Sequence, residues 1–288
     1  MDRLAVLATR LRMALQSVGS GRFAAVIDDR LYVFDDTGPE TLVALPEGHA
    51  TITDQSGSNL LASTFQQTLV STQPIGTRTL SPRDVAIRAV TPGRWWLLHD
   101  DGTLRLDHRS EFEREPKALR VVAEVQDGFV ALDAPDFRWV LWSGANIRQL
   151  APPGYQLVVT GPRTILFKHN CGYGGCDLEI LDLARGTVRM TRSARVPEFA
   201  AFSPDGTRLA LASTLGDVSI VDAKSGETIA QTRGRESPSP SRPFAWTPDS
   251  YALLVVQDHD IAILRASDGF MTRVIDRTDG LQQIAALP

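Results

Sequence analysis

Apolar residues along this chain come in short runs broken by turn-forming clusters, and the longest purely apolar run, Ala252 to Val256, is five residues. Runs of that length bounded by Gly, Pro, Asp and Ser read as β-strands, because helices need longer stretches with apolar positions three and four apart. A membrane helix needs roughly 20 apolar residues in succession, so none is predicted. One stretch departs from the strand pattern. Leu4, Leu7, Leu11, Leu15 and Val18 recur at helical spacing and predict an amphipathic helix over residues 2–17. The same residues also admit two strands, since Arg3-Leu-Ala-Val-Leu-Ala-Thr imitates Arg208-Leu-Ala-Leu-Ala-Ser-Thr further on.

The strands belong to a repeat. Phe199-Ala-Ala-Phe-Ser-Pro-Asp-Gly-Thr-Arg-Leu-Ala-Leu-Ala-Ser aligns with Phe244-Ala-Trp-Thr-Pro-Asp-Ser-Tyr-Ala-Leu-Leu-Val-Val, and the Pro-Asp pairs lie 44 residues apart. Pro204 and Pro248 preset the backbone at the second turn position, and Asp followed by Gly or Ser suits the positions after it. Each copy continues into another strand and turn, Val218-Ser-Ile-Val-Asp with Lys224-Ser-Gly, and Ile261-Ala-Ile-Leu-Arg with Ser267-Asp-Gly. The unit is a four-stranded meander. Weaker copies read upstream as strand pairs at 23–27 and 31–34, 60–63 and 68–71, 95–99 and 103–107, 129–133 and 138–142, and 164–168 and 178–182. Seven units of about 41 residues fill the 288-residue chain. Even spacing of short strands at that period is the pattern of an all-β, seven-bladed propeller with four-stranded blades.

Phe202-Ser-Pro-Asp-Gly, Leu209-Ala-Leu-Ala-Ser and Ile220-Val-Asp-Ala-Lys-Ser-Gly resemble repeats of the TolB-like and WD-repeat β-propeller type. The resemblance covers residues 196–276, and the Gly-His and Trp-Asp dipeptides of WD repeats are missing. It implies a fold and a habit of binding partners, and no activity. A propeller must close its ring, and Ile284-Ala-Ala-Leu copies Phe199-Ala-Ala-Phe, so the C-terminal segment is expected to be the innermost strand of blade one. Residues 22–45 then supply the other three strands. The domain division is an N-terminal helix or extra strands of an eighth blade over 1–18, and a single propeller over 19–288.

With 34 acidic against 30 basic residues and no dense Lys/Arg block, nothing pulls the chain toward phosphate backbones, and no nucleic acid partner is expected. Arg3, Arg10 and Arg12 interrupt any apolar leader, which reads as cytoplasmic, although a chain trimmed of its leader has the same appearance. Composition at 43% hydrophobic and 22% charged excludes disorder and disulfide-dense scaffolds.

Propeller topology sorts the loops by face. Calling the strands of each blade a to d from the axis outward, the a–b and c–d turns share one face, and the b–c turns and d–a crossovers share the other. The second face is expected to carry Asp28, Asp29, Asp100, Asp101, Asp136, Asp177, Asp217, Asp258 and Asp260 with His99, His169 and His259. Its crossovers add His49, Arg83, Arg192, Arg195, Arg233, Arg235 and Arg242. From these, His99, Asp100, Asp101, His169, Asp217, Asp258, His259, Arg195 and Arg235 form the candidate ligand-binding set around the channel mouth. The competing explanation is turn chemistry, because Asp caps backbone amides in hairpins without any ligand. Cys171 and Cys176, flanking Gly-Tyr-Gly-Gly in the b–c turn of blade five, suit a disulfide, a pair of free thiols, or zinc ligation together with His169. The stretch Glu111–Arg120 reads as an insertion forming a solvated connection, and Arg233–Pro243 as a passive, extended crossover. Trp95, Trp96, Trp139, Trp142 and Trp246 read as packing between blades.

No Gly-x-Ser-x-Gly elbow, His-Glu-x-x-His helix or phosphate-cradling loop is present. No cofactor is expected. The reading that follows is a non-catalytic scaffold engaging a protein or peptide through the b–c and d–a face. Its alternative is a small-ligand or metal-binding propeller, with hydrolase or lyase chemistry assembled from separate blades. A third reading is a sensor domain of a larger membrane protein.

Overall fold

The Pro-Asp turns show how local chemistry builds the repeat. In the turn after Phe202, the Asp205 carboxylate accepts from the Ser203 hydroxyl, the Thr207 amide and the Thr207 hydroxyl, while Gly206 takes a positive φ of 72°. The copy after Trp246 repeats this: Asp249 accepts from the Thr247 hydroxyl and the Tyr251 amide, and Ser250 sits at φ 62° where its counterpart is glycine. The Ser250 hydroxyl in turn accepts from the Asp205 amide and links the two blades.

In this computed structural model, described throughout except for residues 1–2, 17–21, 36–40, 57, 107–111, 115–118, 194, 214–215, 233–243, 258–259, 276–279 and 288, the strands form seven four-stranded antiparallel sheets. Six are sequential meanders. The seventh, blade one, takes its innermost strand from the C-terminus: Leu281–Leu287 pairs antiparallel with Arg22–Ile27, with Phe23 opposite Ala286 and Ala25 opposite Ile284. Arg30–Phe34 and Thr41–Leu42 complete that blade. The ring closes as the repeat anticipates.

Buried side chains gather into seven clusters, one in each seam between neighbouring blades. The middle strands of the sheets are apolar on both faces and read as continuous hydrophobic runs, as in Arg208–Ser213, whereas outermost strands such as Ile75–Thr79 are exposed. Trp95, Trp96, Trp142 and Trp246 are buried in these seams. The innermost strands of blades two, four, five and six each carry a register shift against their b strands, at Ile52/Asp54, Val121/Ala123, Leu157/Val159 and Pro197/Phe199. An extra residue bends a strand and sharpens its twist, which suits the crowded axis.

The N-terminal residues form one helix, Arg3–Gln16, in place of the alternative strands. Leu7, Ala8 and Leu11 are buried in the cluster of blades seven and one, and Arg12 donates to the Asp35 carbonyl. Two sequence readings need correction. Glu111–Arg120 is not an insertion: Phe112–Arg114 pairs with Thr103–Arg105 as the outermost strand of blade three, and Leu119 already begins the innermost strand of blade four. Cys171 and Cys176 are not in the turn itself, because the b and c strands of blade five extend to Thr164–Gly172 and Gly175–Asp182. Arg233–Pro243 lies outside the described residues.

The carboxylate turns make stability acid-sensitive. Burial pushes the Asp205 carboxyl upward, but the hydroxyls and amide it accepts from outweigh this and hold it below the usual value. For Asp222 burial acts the same way, and the Ser225 and Lys224 amides with Arg208 prevail to lower it. A carboxyl depressed in the folded state contributes stability that is present above its unfolded pKa of about 3.9 and lost as pH falls through the folded value. Urea denaturation of Asp205→Asn and Asp222→Asn at pH 7 is expected to show each about 1–2 kcal/mol less stable than the parent. The gap should narrow below about pH 3.9.

Candidate functional site

Aspartates on the two faces of the ring behave differently. On the a–b and c–d face, Asp182, Asp205, Asp222, Asp249 and Asp268 each accept from backbone amides of their own turns. On the opposite face most engage side chains from another strand or a crossover. Asp29 pairs with His49 at 2.8 Å and accepts from the Gln282 amide nitrogen at 2.7 Å. Those two partners hold its carboxyl below the ordinary range, with the Gln282 bond the larger cause. Asp136 pairs with Arg138, Asp177 accepts from Asn170, and Asp217 pairs with Arg195. Asp101 accepts from the Thr103 amide as a turn cap.

Two histidines anchor the densest groups. In blade three, His99 ends Trp95–His99 and stands directly opposite Asp84 of the innermost strand. Its Nδ1 lies 2.8 Å from Asp84 Oδ1 and its Nε2 lies 3.1 Å from Asp100 Oδ1, while Arg83 approaches Asp100 from the other side. The Asp84 bond, with Asp100 and Asp101 nearby, raises the His99 pKa. A cationic imidazole between carboxylates results as pH falls through that raised value.

In blade five, His169 faces the seam with blade four, on the same sheet face as Phe167, Asp177 and Glu179 by strand register. Its ring stacks on Tyr155 with centroids 4.3 Å apart, and the Tyr155 hydroxyl donates to Glu179 Oε1 at 2.7 Å. His169 Nε2 lies 3.3 Å from the same oxygen. That nitrogen is buried and off line for a hydrogen bond. The Glu179 bond raises the Tyr155 phenol, with burial adding to it. Trp139 of blade four donates to the Tyr155 carbonyl and fixes the crossover that carries the ring. Just beyond His169, Cys171 and Cys176 form a disulfide with Cα atoms 4.2 Å apart, so their thiolates are not available as zinc ligands.

The candidate residues thus meet as pairs and small groups, each within a blade or across one crossover. Asp258, His259 and Arg235 lie outside the described residues. Among the described residues, no three His, Cys, Asp or Glu side chains are placed to hold a metal ion. Toward the other end of the innermost strands, Arg88 of blade three reaches across to the Thr160 carbonyl of blade five and to Asp54 of blade two. Sequence reasoning missed Asp84, Tyr155 and Glu179. The i, i+2 pairs Phe167/His169 and Asp177/Glu179 were only half of the signal, since a regular hairpin centred on Tyr173-Gly174 sets His169 opposite Leu178, and it is the register shift between His169 and Gly172 that puts all four on one sheet face. Three exposed rings also stand at b–c turns: Phe65 at 87%, Phe137 at 68% and Tyr173 at 113% relative exposure.

The fold places this chain in the architectural class of seven-bladed β-propellers. Solved structures of the same shape include AztD from Citrobacter koseri, at 13% identity, TM-score 0.57 and coverage of 92% of this chain and 96% of that one. Hsv2 from Kluyveromyces lactis matches at 12% identity and TM-score 0.54, over 80% and 81% of the two chains. The propeller domain of Cps50 (Swd1) from Myceliophteria thermophila matches at 12% identity and TM-score 0.53, over 81% and 88%. At such identities the likeness is one of fold. No protein-family model and no curated protein sequence matches the chain. No described helix is long and apolar enough to cross a membrane.

Proposed function

We propose that this chain is a non-catalytic binding propeller that engages a protein or peptide through its b–c and d–a face, and that its repeats are of the TolB-like and WD-repeat type. The observation that carries this reading is the set of exposed rings at the turns of blades two, four and five, with side-chain-paired aspartates beside those of blades four and five. Large rings left in water cost free energy that a partner recovers by covering them, and Tyr, Trp and Arg dominate such contacts. One edge of the Phe65 ring lies against Gly48 of the preceding crossover, where an added Cβ would come within 3.0 Å of it. The disulfide favours an oxidising compartment.

Photo-crosslinking tests the reading. A benzoylphenylalanine replacing Tyr173 is expected to give discrete protein adducts that disappear on adding Phe65→Ser and Phe137→Ser, with the fold unchanged by circular dichroism. The same probe replacing Phe270, exposed on the opposite face, is expected to give none. Equal adducts from both faces, or adducts from Phe270 alone, overturn it.

A further inference from the structure

The outermost strands of the ring are not covered alike. In blades six and seven a glycine of the c–d turn presses on the outermost strand of the blade before it: an added Cβ on Gly226 would stand 3.1 Å from the Met190 carbonyl oxygen, and one on Gly269 would overlap the Ala230 side chain. Gly186 holds the same place in the c–d turn of blade five, and an added Cβ there meets nothing within 4 Å. The seam between blades four and five is therefore open at the rim where the next two are closed. Strand register shows what lines the opening. Val188, Met190 and Arg192 stand opposite Leu181, Glu179 and Asp177 and so face blade four, while Arg148 stands opposite Leu141 and faces blade five. Val188 and Met190 are 44% and 54% exposed. Arg192 lies beneath the b–c turn, with Nη2 3.5 Å from where a Cβ on Gly174 would be. The carboxylates on the same face, Asp177 and Glu179, are engaged by Asn170 and Tyr155, and among the described residues neither Arg148 nor Arg192 has a carboxylate partner.

We infer that the cleft between the outermost strands of blades four and five, Asn146–Ala151 and Thr187–Ser193, binds an extended acidic segment of a partner protein. Asn146–Ala151 pairs with one strand only, so its outer edge offers backbone donors and acceptors to an added strand. Both strands leave a c–d turn and run the same way. Arg148 is the third residue of one and Arg192 the sixth of the other, so the two guanidinium groups stand at different heights, with Met190 at a height between them. In an extended segment, carboxylates four positions apart lie on one side with an apolar side chain midway, and they span about 13 Å. Each guanidinium takes a carboxylate through two parallel hydrogen bonds, and Val188 and Met190 gain by being covered. A basic segment is disfavoured there, because the two arginines repel it. The cleft lies on the rim, so the inference goes beyond the loop face and stands or falls without it.

Fluorescence anisotropy of a labelled Gly-Asp-Ser-Leu-Ser-Asp-Gly peptide, titrated with the full chain, tests it. The expected result is saturable binding that weakens about tenfold in Arg148→Gln and in Arg192→Gln and is lost in Met190→Glu. All three positions are exposed, so the variants are expected to keep the parent's circular dichroism. Arg189→Gln is the control: Arg189 belongs to the same strand, faces blade six and donates to the Lys224 carbonyl, and its loss is expected to leave binding unchanged. The peptide with Lys in place of both Asp is expected not to bind. No saturable binding up to about 1 mM, equal binding of the Lys peptide, binding unchanged in Arg192→Gln, or an equal loss in Arg189→Gln each overturns the assignment.

Discussion

A chain lacking residues 281–288 is expected to show no cooperative unfolding transition by calorimetry or circular dichroism at 25 °C. The segment is the innermost strand of blade one, and Leu281, Ile284, Ala285, Ala286 and Leu287 are all buried. Burying each of its three large side chains stabilises the fold by about 1.5–3 kcal/mol, before any ladder hydrogen bond. Together these terms approach the about 5–15 kcal/mol by which a native domain is stable at all. The strand also ties blade one to blade two, because Gln283 accepts from the Ile52 amide and the Ala286 carbonyl accepts from the Gln55 side chain. Its loss therefore opens two seams. The graded version is Leu287→Ala, expected to cost about 2–5 kcal/mol in urea denaturation. A truncated chain that melts within a few degrees of the parent would show that the ring is held elsewhere.

Leu11→Asp is expected to lower the melting temperature by on the order of 10 °C, from a loss of about 3–5 kcal/mol. Leu11 is fully buried with Leu7 and Ala8 against Phe23, Phe34, Leu254 and Ile263, in the seam that the two ends of the chain share. The substitution removes that contact and places a carboxylate among the apolar side chains of the seam. Leu11→Ala separates the two effects, since it removes the packing alone. Met13, exposed on the same helix, is the control: Met13→Asp should change stability by no more than about 0.5 kcal/mol. Equal effects at both positions would mean that the helix is not docked in the seam.

Much of the architecture was legible because it rests on local chemistry repeated along the chain. Pro204-Asp205 and Pro248-Asp249 set the same turn twice from the same hydroxyl-to-carboxylate contacts, so a period of 44 residues appears as soon as the two are aligned. The closing strand was legible by the same logic, since Ile284-Ala-Ala-Leu meets the packing demands that Phe199-Ala-Ala-Phe meets in blade six. Where the repeat weakens, so did the reading: in blade three the outermost strand, Phe112–Arg114, has charged residues on either side of one ring and reads as a connection.

The apolar periodicity and the turn residues by themselves determined the four-stranded repeat, the seam and the sorting of loops by face, because each follows from which residues can bury a strand or enter a tight turn; that Arg3–Gln16 is a helix rather than strands of an eighth blade was left to the tertiary structure. What only the tertiary structure decided was which polar side chains meet. Glu179 finds Tyr155 across a crossover, His99 finds Asp84 across a strand pair, and Asp29 finds Gln282 from the far end of the chain. Those meetings depend on register and on the rotation of one blade against the next. A carboxylate in a turn has the same one-letter code whether it caps its own amide or reaches for a neighbour's imidazole.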